Sequence, residues 1–108
     1  MRRYTVGWSE PAIDLLKRLS DARIQAKLLE VADTLSDAPE TRGKALRDEF
    51  AGYWSLHWSR YRIVYAIDHT ARVVRIAAVG LRADGKAKDV YETARKLLSQ
   101  GLLEPPPT

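Results

Sequence analysis

Cysteine is absent from the 108 residues, which excludes a disulfide framework and any thiolate metal site. Only two histidines occur, His57 and His69, too few for a protein-built zinc site, and no metal or cofactor is expected. No apolar run approaches the length of a membrane span. The opening MRRYTVGWSE carries charge but lacks the hydrophobic stretch of a signal peptide. A cytoplasmic protein with no membrane contact is the expectation. Internal repeats and linkers are also lacking. The length suits one domain with one core, 1–103, followed by a mobile Pro-rich tail at 104–108.

What is present is an ordinary globular balance, 45% hydrophobic and 30% charged. Lysine and arginine number 18 against 14 acidic residues, giving a net charge of +4. That surplus favours a polyanionic partner such as nucleic acid, or an acidic protein segment. Plain surface charge is the competing explanation.

The chain is organised around residues 53–67, YWSLHWSRYRIVYAI. Trp54, Leu56 and Trp58 alternate with Tyr53, Ser55 and His57; Tyr61, Ile63, Tyr65 and Ile67 alternate with Arg62, Val64 and Ala66. This is the period-two pattern of strands. With Ser59-Arg60 as a two-residue loop, Trp58 pairs with Tyr61, His57 with Arg62, Leu56 with Ile63 and Ser55 with Val64. One face is then large and apolar, and the other carries Tyr53, Ser55, His57 and Arg62.

Residues 2–8 alternate as a first strand. Ser9-Glu10-Pro11 starts a helix striped by Ala12, Leu15, Leu16 and Leu19. Ser20-Asp21 caps a second helix, with Ile24, Leu28, Val31 and Leu35 at helical spacing, ending before Pro39. Residues 37–50 read mostly as loop anchored by Leu46 and Phe50. There Arg42, Lys44 and Arg47 form either a solvated surface or a phosphate contact. Residues 72–79 read as a strand, with Val74, Ile76 and Ala78 inward. After a polar loop, residues 89–100 read as a helix stopped by Gly101. The order β-α-α-β-β-β-α predicts an α+β fold: a small antiparallel sheet, a helical hairpin on one face, a C-terminal helix, and the opposite face partly open.

The run G-Y-W-S-L-H-W-S-R-Y-R-I-V-Y, preceded by G-K-A-L and followed by V-G-L-R and D-V-Y, resembles the RelE/ParE toxin superfamily of bacterial type II toxin–antitoxin modules. The short helical hairpin looks more like the RelE branch. That resemblance implies an mRNA endoribonuclease dependent on the ribosome, with an antitoxin partner and operator DNA bound only through the antitoxin complex. It also implies catalytic roles for Arg62, Arg82 and Tyr91. Two strand lysines of the family fall on Ser55 and His57, and the Arg82–Tyr91 loop is longer here. Imidazole titrates near neutrality, so His57 can serve as the base in place of a lysine. Lys44, Arg47, Ser55, Arg60, Lys86 and Lys88 are the expected RNA contacts.

Such a site cuts RNA without metal: a 2′-hydroxyl attacks the adjacent phosphorus while guanidinium groups of Arg62 and Arg82 hold the phosphate. Simpler readings remain. The arginines can be salt-bridge partners, Tyr91 and the tryptophans core, and His57 a solvated strand residue. Two other functions compete: a ParE-like gyrase inhibitor, and a catalytically degenerate antitoxin-binding member.

Overall fold

The computed structural model describes residues 3–106. The chain runs β1 (Thr5–Trp8), α1 (Glu10–Lys17), α2 (Ala22–Asp33), α3 (Pro39–Arg42), β2 (Lys44–Ala45), β3 (Trp54–Trp58), β4 (Tyr61–Asp68), β5 (Val73–Leu81) and α4 (Val90–Ser99). Five strands form one sheet in the order β1-β5-β4-β3-β2. The fold is α+β, as the sequence pattern indicates. The sheet is mixed, however, because β1 runs parallel to β5. Short turns force β3, β4 and β5 to alternate in direction. No short turn joins β1 to β5, so its direction is free.

The helical hairpin starts where the caps require. The Ser9 hydroxyl accepts from the Ala12 amide at 3.2 Å, and Asp21 accepts from the Arg23 amide at 2.9 Å. Ala12, Leu16, Leu28, Ala32 and Leu35 pack onto Leu56, Ile63, Tyr65, Ile67, Val74, Ile76 and Val79. Trp54, Trp58 and Tyr61 border this core. Burial of a leucine such as Leu28 contributes about 1.5–3 kcal/mol.

The β3–β4 register is the one the alternation dictates, with Trp58–Tyr61, His57–Arg62, Leu56–Ile63 and Ser55–Val64 opposed. One break occurs in β5. Val64 pairs with Ala78 but Tyr65 pairs with Ile76, so Ala77 is a bulge residue. The extra residue flips parity. Val74 and Ile76 face the helical hairpin, whereas Ala78, expected on their side, packs beneath α4.

The second face is more covered than the pattern suggests. Val90 and Ala94 of α4 pack on Val64, Ala66, Ala77 and Ala78, with Phe50, Tyr53 and Leu103 alongside. Small strand residues admit the helix: a Cβ on Gly80 would lie 3.4 Å from that of Val90. What stays open is the end of the sheet holding His57 and Arg62.

The stretch 37–50 also differs from its reading as loop, since it contains α3, β2 and a 3-10 turn at Asp48–Phe50. Its turn formers and charges hid a strand of only two residues. Glu104, expected in a mobile tail, is tied down. Its carbonyl accepts from the Tyr53 hydroxyl at 2.6 Å and its carboxylate meets Arg75 at 3.5 Å. The rest of that tail at 107 and 108, and Arg2 of the expected first strand, lie outside the described residues. Among the described residues no helix is long and apolar enough to cross a membrane.

Candidate functional site

A polar cleft of about 560 Å³ opens at the uncovered end of the sheet. Lys44, Ser55, His57, Arg62 and Tyr91 line it, together with Arg42. Strand pairing assembles them. Lys44 on β2 is the cross-strand neighbour of Ser55, and His57 on β3 is that of Arg62 on β4.

Gly43 makes the β2 side possible. A Cβ there would stand 2.5 Å from the Tyr65 hydroxyl and 2.6 Å from the Ser55 carbonyl oxygen, so only glycine lets the backbone approach this closely. Tyr65 donates its hydroxyl to the Pro39 carbonyl at 2.9 Å. Burial, opposed by the Gly43 backbone bond and reinforced by Glu40, pushes that hydroxyl up to about 12.

The hairpin turn orients the cationic side. Ser59 adopts φ 54°, the left-handed backbone that so tight a loop calls for. Its carbonyl receives the His57 Nε2 at 2.8 Å and lies 3.4 Å from Arg62 Nη1. A carbonyl only accepts, so Nε2 carries the proton and the Nδ1 lone pair of a neutral imidazole is left available. Arg62 Nη1 also donates to the Tyr61 carbonyl at 2.9 Å.

Tyr91 forms the far wall. Its hydroxyl is 2.7 Å from the Ser55 hydroxyl, and its ring lies 6.2 Å from that of Phe50. The Arg82 guanidinium sits over the ring, 5.0 Å from the centroid. Arg82 Nη1 donates to Asp89 Oδ1 at 2.6 Å, and Nη2 lies 3.4 Å from Asp84. The Asp89 bond, opposed by partial burial and helped by nearby negative charge, raises the Arg82 pKa. For Asp89, burial pushes upward. The Arg82 bond, the Ala83 and Tyr91 amides and the Arg82 charge outweigh it and hold the carboxyl below its ordinary value.

Of the residues singled out from sequence, Lys44, Ser55, His57, Arg62 and Tyr91 come together, whereas Arg82 does not line the cleft and touches this group through the Tyr91 ring. Arg47, Arg60, Lys86 and Lys88 are exposed and do not line the cleft. The Arg60 carbonyl instead accepts from the Arg82 amide at 2.6 Å. Arg42 lines the cleft while paired to Asp37 at 3.3 Å. Asp89 was legible as a helix start but not as a partner of Arg82. His69 lies outside the site, its Nδ1 2.7 Å from the Tyr4 hydroxyl.

A profile described as ParE toxin of type II toxin-antitoxin system, parDE, matches residues 6–85. Toxin RelG of Mycobacterium tuberculosis is 40% identical over 82 residues, spanning 75% of this chain and 93% of that protein. The RelBE2 toxin–antitoxin complex of the same organism contains a chain of 40% identity and TM-score 0.72, covering 78% of this chain and 97% of that one. The archaeal RelE–RelB complex of Pyrococcus horikoshii shares the fold at 20% identity and TM-score 0.62, covering 77% and 99%.

Proposed function

Because the chain belongs to the RelE/ParE family of type II toxin–antitoxin toxins, we propose that it is a metal-independent endoribonuclease that cuts messenger RNA on the translating ribosome. It works in the cytoplasm, is neutralised by a cognate antitoxin, and meets operator DNA only within that complex. The observation that carries this reading is the cleft itself. One open sheet end gathers the cations Lys44 and Arg62, an imidazole with a usable lone pair, and a paired tyrosine hydroxyl.

In the proposed reaction His57 Nδ1 takes the proton of a 2′-hydroxyl, whose oxygen attacks the adjacent phosphorus. Arg62 and Lys44 meet the charge that grows on the phosphorane oxygens. Arg82, over the Tyr91 ring, adds its positive charge to the same end of the site. The 5′-oxygen departs with the proton of the Tyr91 hydroxyl. The products are a 2′,3′-cyclic phosphate and a 5′-hydroxyl. Lys44, directly across from Ser55, offers an ammonium near one position where the family pattern has a strand lysine.

Inhibition of gyrase is the second reading. It is favoured by Ser55 and His57 at the lysine positions and by the two carboxylates on Arg82. Expression of the bare chain in bacteria separates the two. Primer extension on translated messages shows new ends at codon positions under the nuclease reading. Intact messages with relaxed plasmid DNA overturn it in favour of gyrase.

A further inference from the structure

The buried carboxylate of Asp89 lies outside the cleft, yet it touches both halves of the wall behind it. It is 2% exposed. Its Oδ1 accepts from Arg82 Nη1 at 2.6 Å and from the Ala83 amide at 2.7 Å, while Oδ2 accepts from the Tyr91 amide at 3.0 Å. One side chain thus joins the end of β5 to the start of α4. The chain of contacts continues: Arg82 covers the Tyr91 ring at 5.0 Å, and the Tyr91 hydroxyl meets Ser55 at 2.7 Å on the cleft floor. Asp84, the other carboxylate near Arg82, is 91% exposed and stands on the solvent side. Without Asp89, Asp84 is the one carboxylate left within salt-bridge distance of the guanidinium among the described residues.

We propose that Asp89 is a positioning residue: it holds the Arg82 guanidinium across the Tyr91 ring and so fixes the tyrosine hydroxyl at the cleft. Its kinetic readout rests on the nuclease reading above. Capping alone makes a different forecast. Asparagine caps a helix about as well as aspartate: its one carbonyl oxygen can accept from the Tyr91 amide, while its NH2, a donor, cannot accept from the Arg82 guanidinium. A residue needed only as a cap therefore tolerates Asp89→Asn, and one needed to hold Arg82 does not.

The test is a double-substitution cycle on full-length protein, using single-turnover cleavage of a defined message on programmed ribosomes. Asp89→Asn and Arg82→Ala each lower the rate about tenfold or more. Because Asp89 acts through Arg82, the double variant matches Arg82→Ala within about twofold. Losses that multiply, or an Asp89→Asn rate equal to wild type, overturn the proposal. A second arm follows the Tyr91 ring resonances by NMR, and both single substitutions should move them in the same direction. An unmoved ring overturns the proposal as well. If wild-type protein does not cut the message, the nuclease reading falls, and the NMR arm decides this inference alone.

Discussion

His57 and Arg62 face each other across the β3–β4 hairpin, and both turn back onto the carbonyl of Ser59. The turn that sets the register also aims the two groups. Because the imidazole spends Nε2 on that carbonyl, the nitrogen left to act as a base is Nδ1. Arg62 is steadied by main-chain oxygens rather than by a carboxylate, so no acidic side chain cancels its charge among its hydrogen bonds in the described residues.

Arg62→Ala should therefore abolish toxicity without harming the fold. Loss of one charge-stabilising donor costs about a hundredfold or more in cleavage rate. The Arg62 side chain lies at the open sheet end, outside both apolar clusters, so the melting temperature and antitoxin co-purification should match wild type. Growth arrest on induction and mapped message ends measure the effect. A fully toxic Arg62→Ala protein would remove this residue from the phosphate site.

Gly43→Ala should damage both stability and activity. The new methyl would meet the Ser55 carbonyl and the Tyr65 hydroxyl at distances real Cβ atoms do not reach. Backbone cannot yield as a flexible side-chain end can, so overpacking should cost about 1–3 kcal/mol in urea denaturation. The same clash pushes β2 off β3 and takes Lys44 with it. Stability equal to wild type would show that the close approach at Gly43 is not required.

Much of this arrangement is legible without coordinates, and the reason is periodicity. Alternation through 53–67 allows one hairpin register once Ser59-Arg60 is read as the turn, and that register alone places His57 beside Arg62. Helix caps at Ser9 and Asp21 are equally local. What escapes is non-local. The bulge at Ala77 inserts no unusual residue, so the change of face at Ala78 leaves no mark in the pattern. Strand β2 is too short for any period and exists because Gly43 fits against β3. Asp89 and Arg82 meet only because the intervening loop closes on itself.

Tyr65 should give the protein an alkaline limit. Its hydroxyl, normally near 10.0, is held at about 12 in the folded chain. The unfolded chain therefore releases its proton first. The stabilisation is intact below pH 10 and is lost as pH rises to about 12, a change of about 3 kcal/mol for this fully buried group. Tyr53 is shifted in the same direction by burial and by Glu104, and adds to the slope. Tyr65→Phe should lose about 1–3 kcal/mol at neutral pH, because the Pro39 carbonyl loses its donor. It should also flatten the stability profile between pH 10 and 12. A slope as steep as that of wild type would assign the alkaline limit to other groups.

The Tyr91–Ser55 hydroxyl pair offers the sharpest separation between proton transfer and packing. Tyr91→Phe keeps the ring's contacts with Phe50 and the Arg82 guanidinium and removes only the hydroxyl. If that hydroxyl delivers the proton to the leaving 5′-oxygen, cleavage should fall about a hundredfold, within the range for a general acid. Ser55→Ala leaves the hydroxyl in place but unpaired, so its loss should be smaller, about tenfold. Adding Ser55→Ala to Tyr91→Phe should cost nothing further, since the bond is already gone. A substrate whose 5′-oxygen is replaced by sulfur needs no proton to leave, and should restore the Tyr91→Phe rate to near that of wild type. Failure of that rescue would assign Tyr91 to stacking on a base rather than to proton transfer.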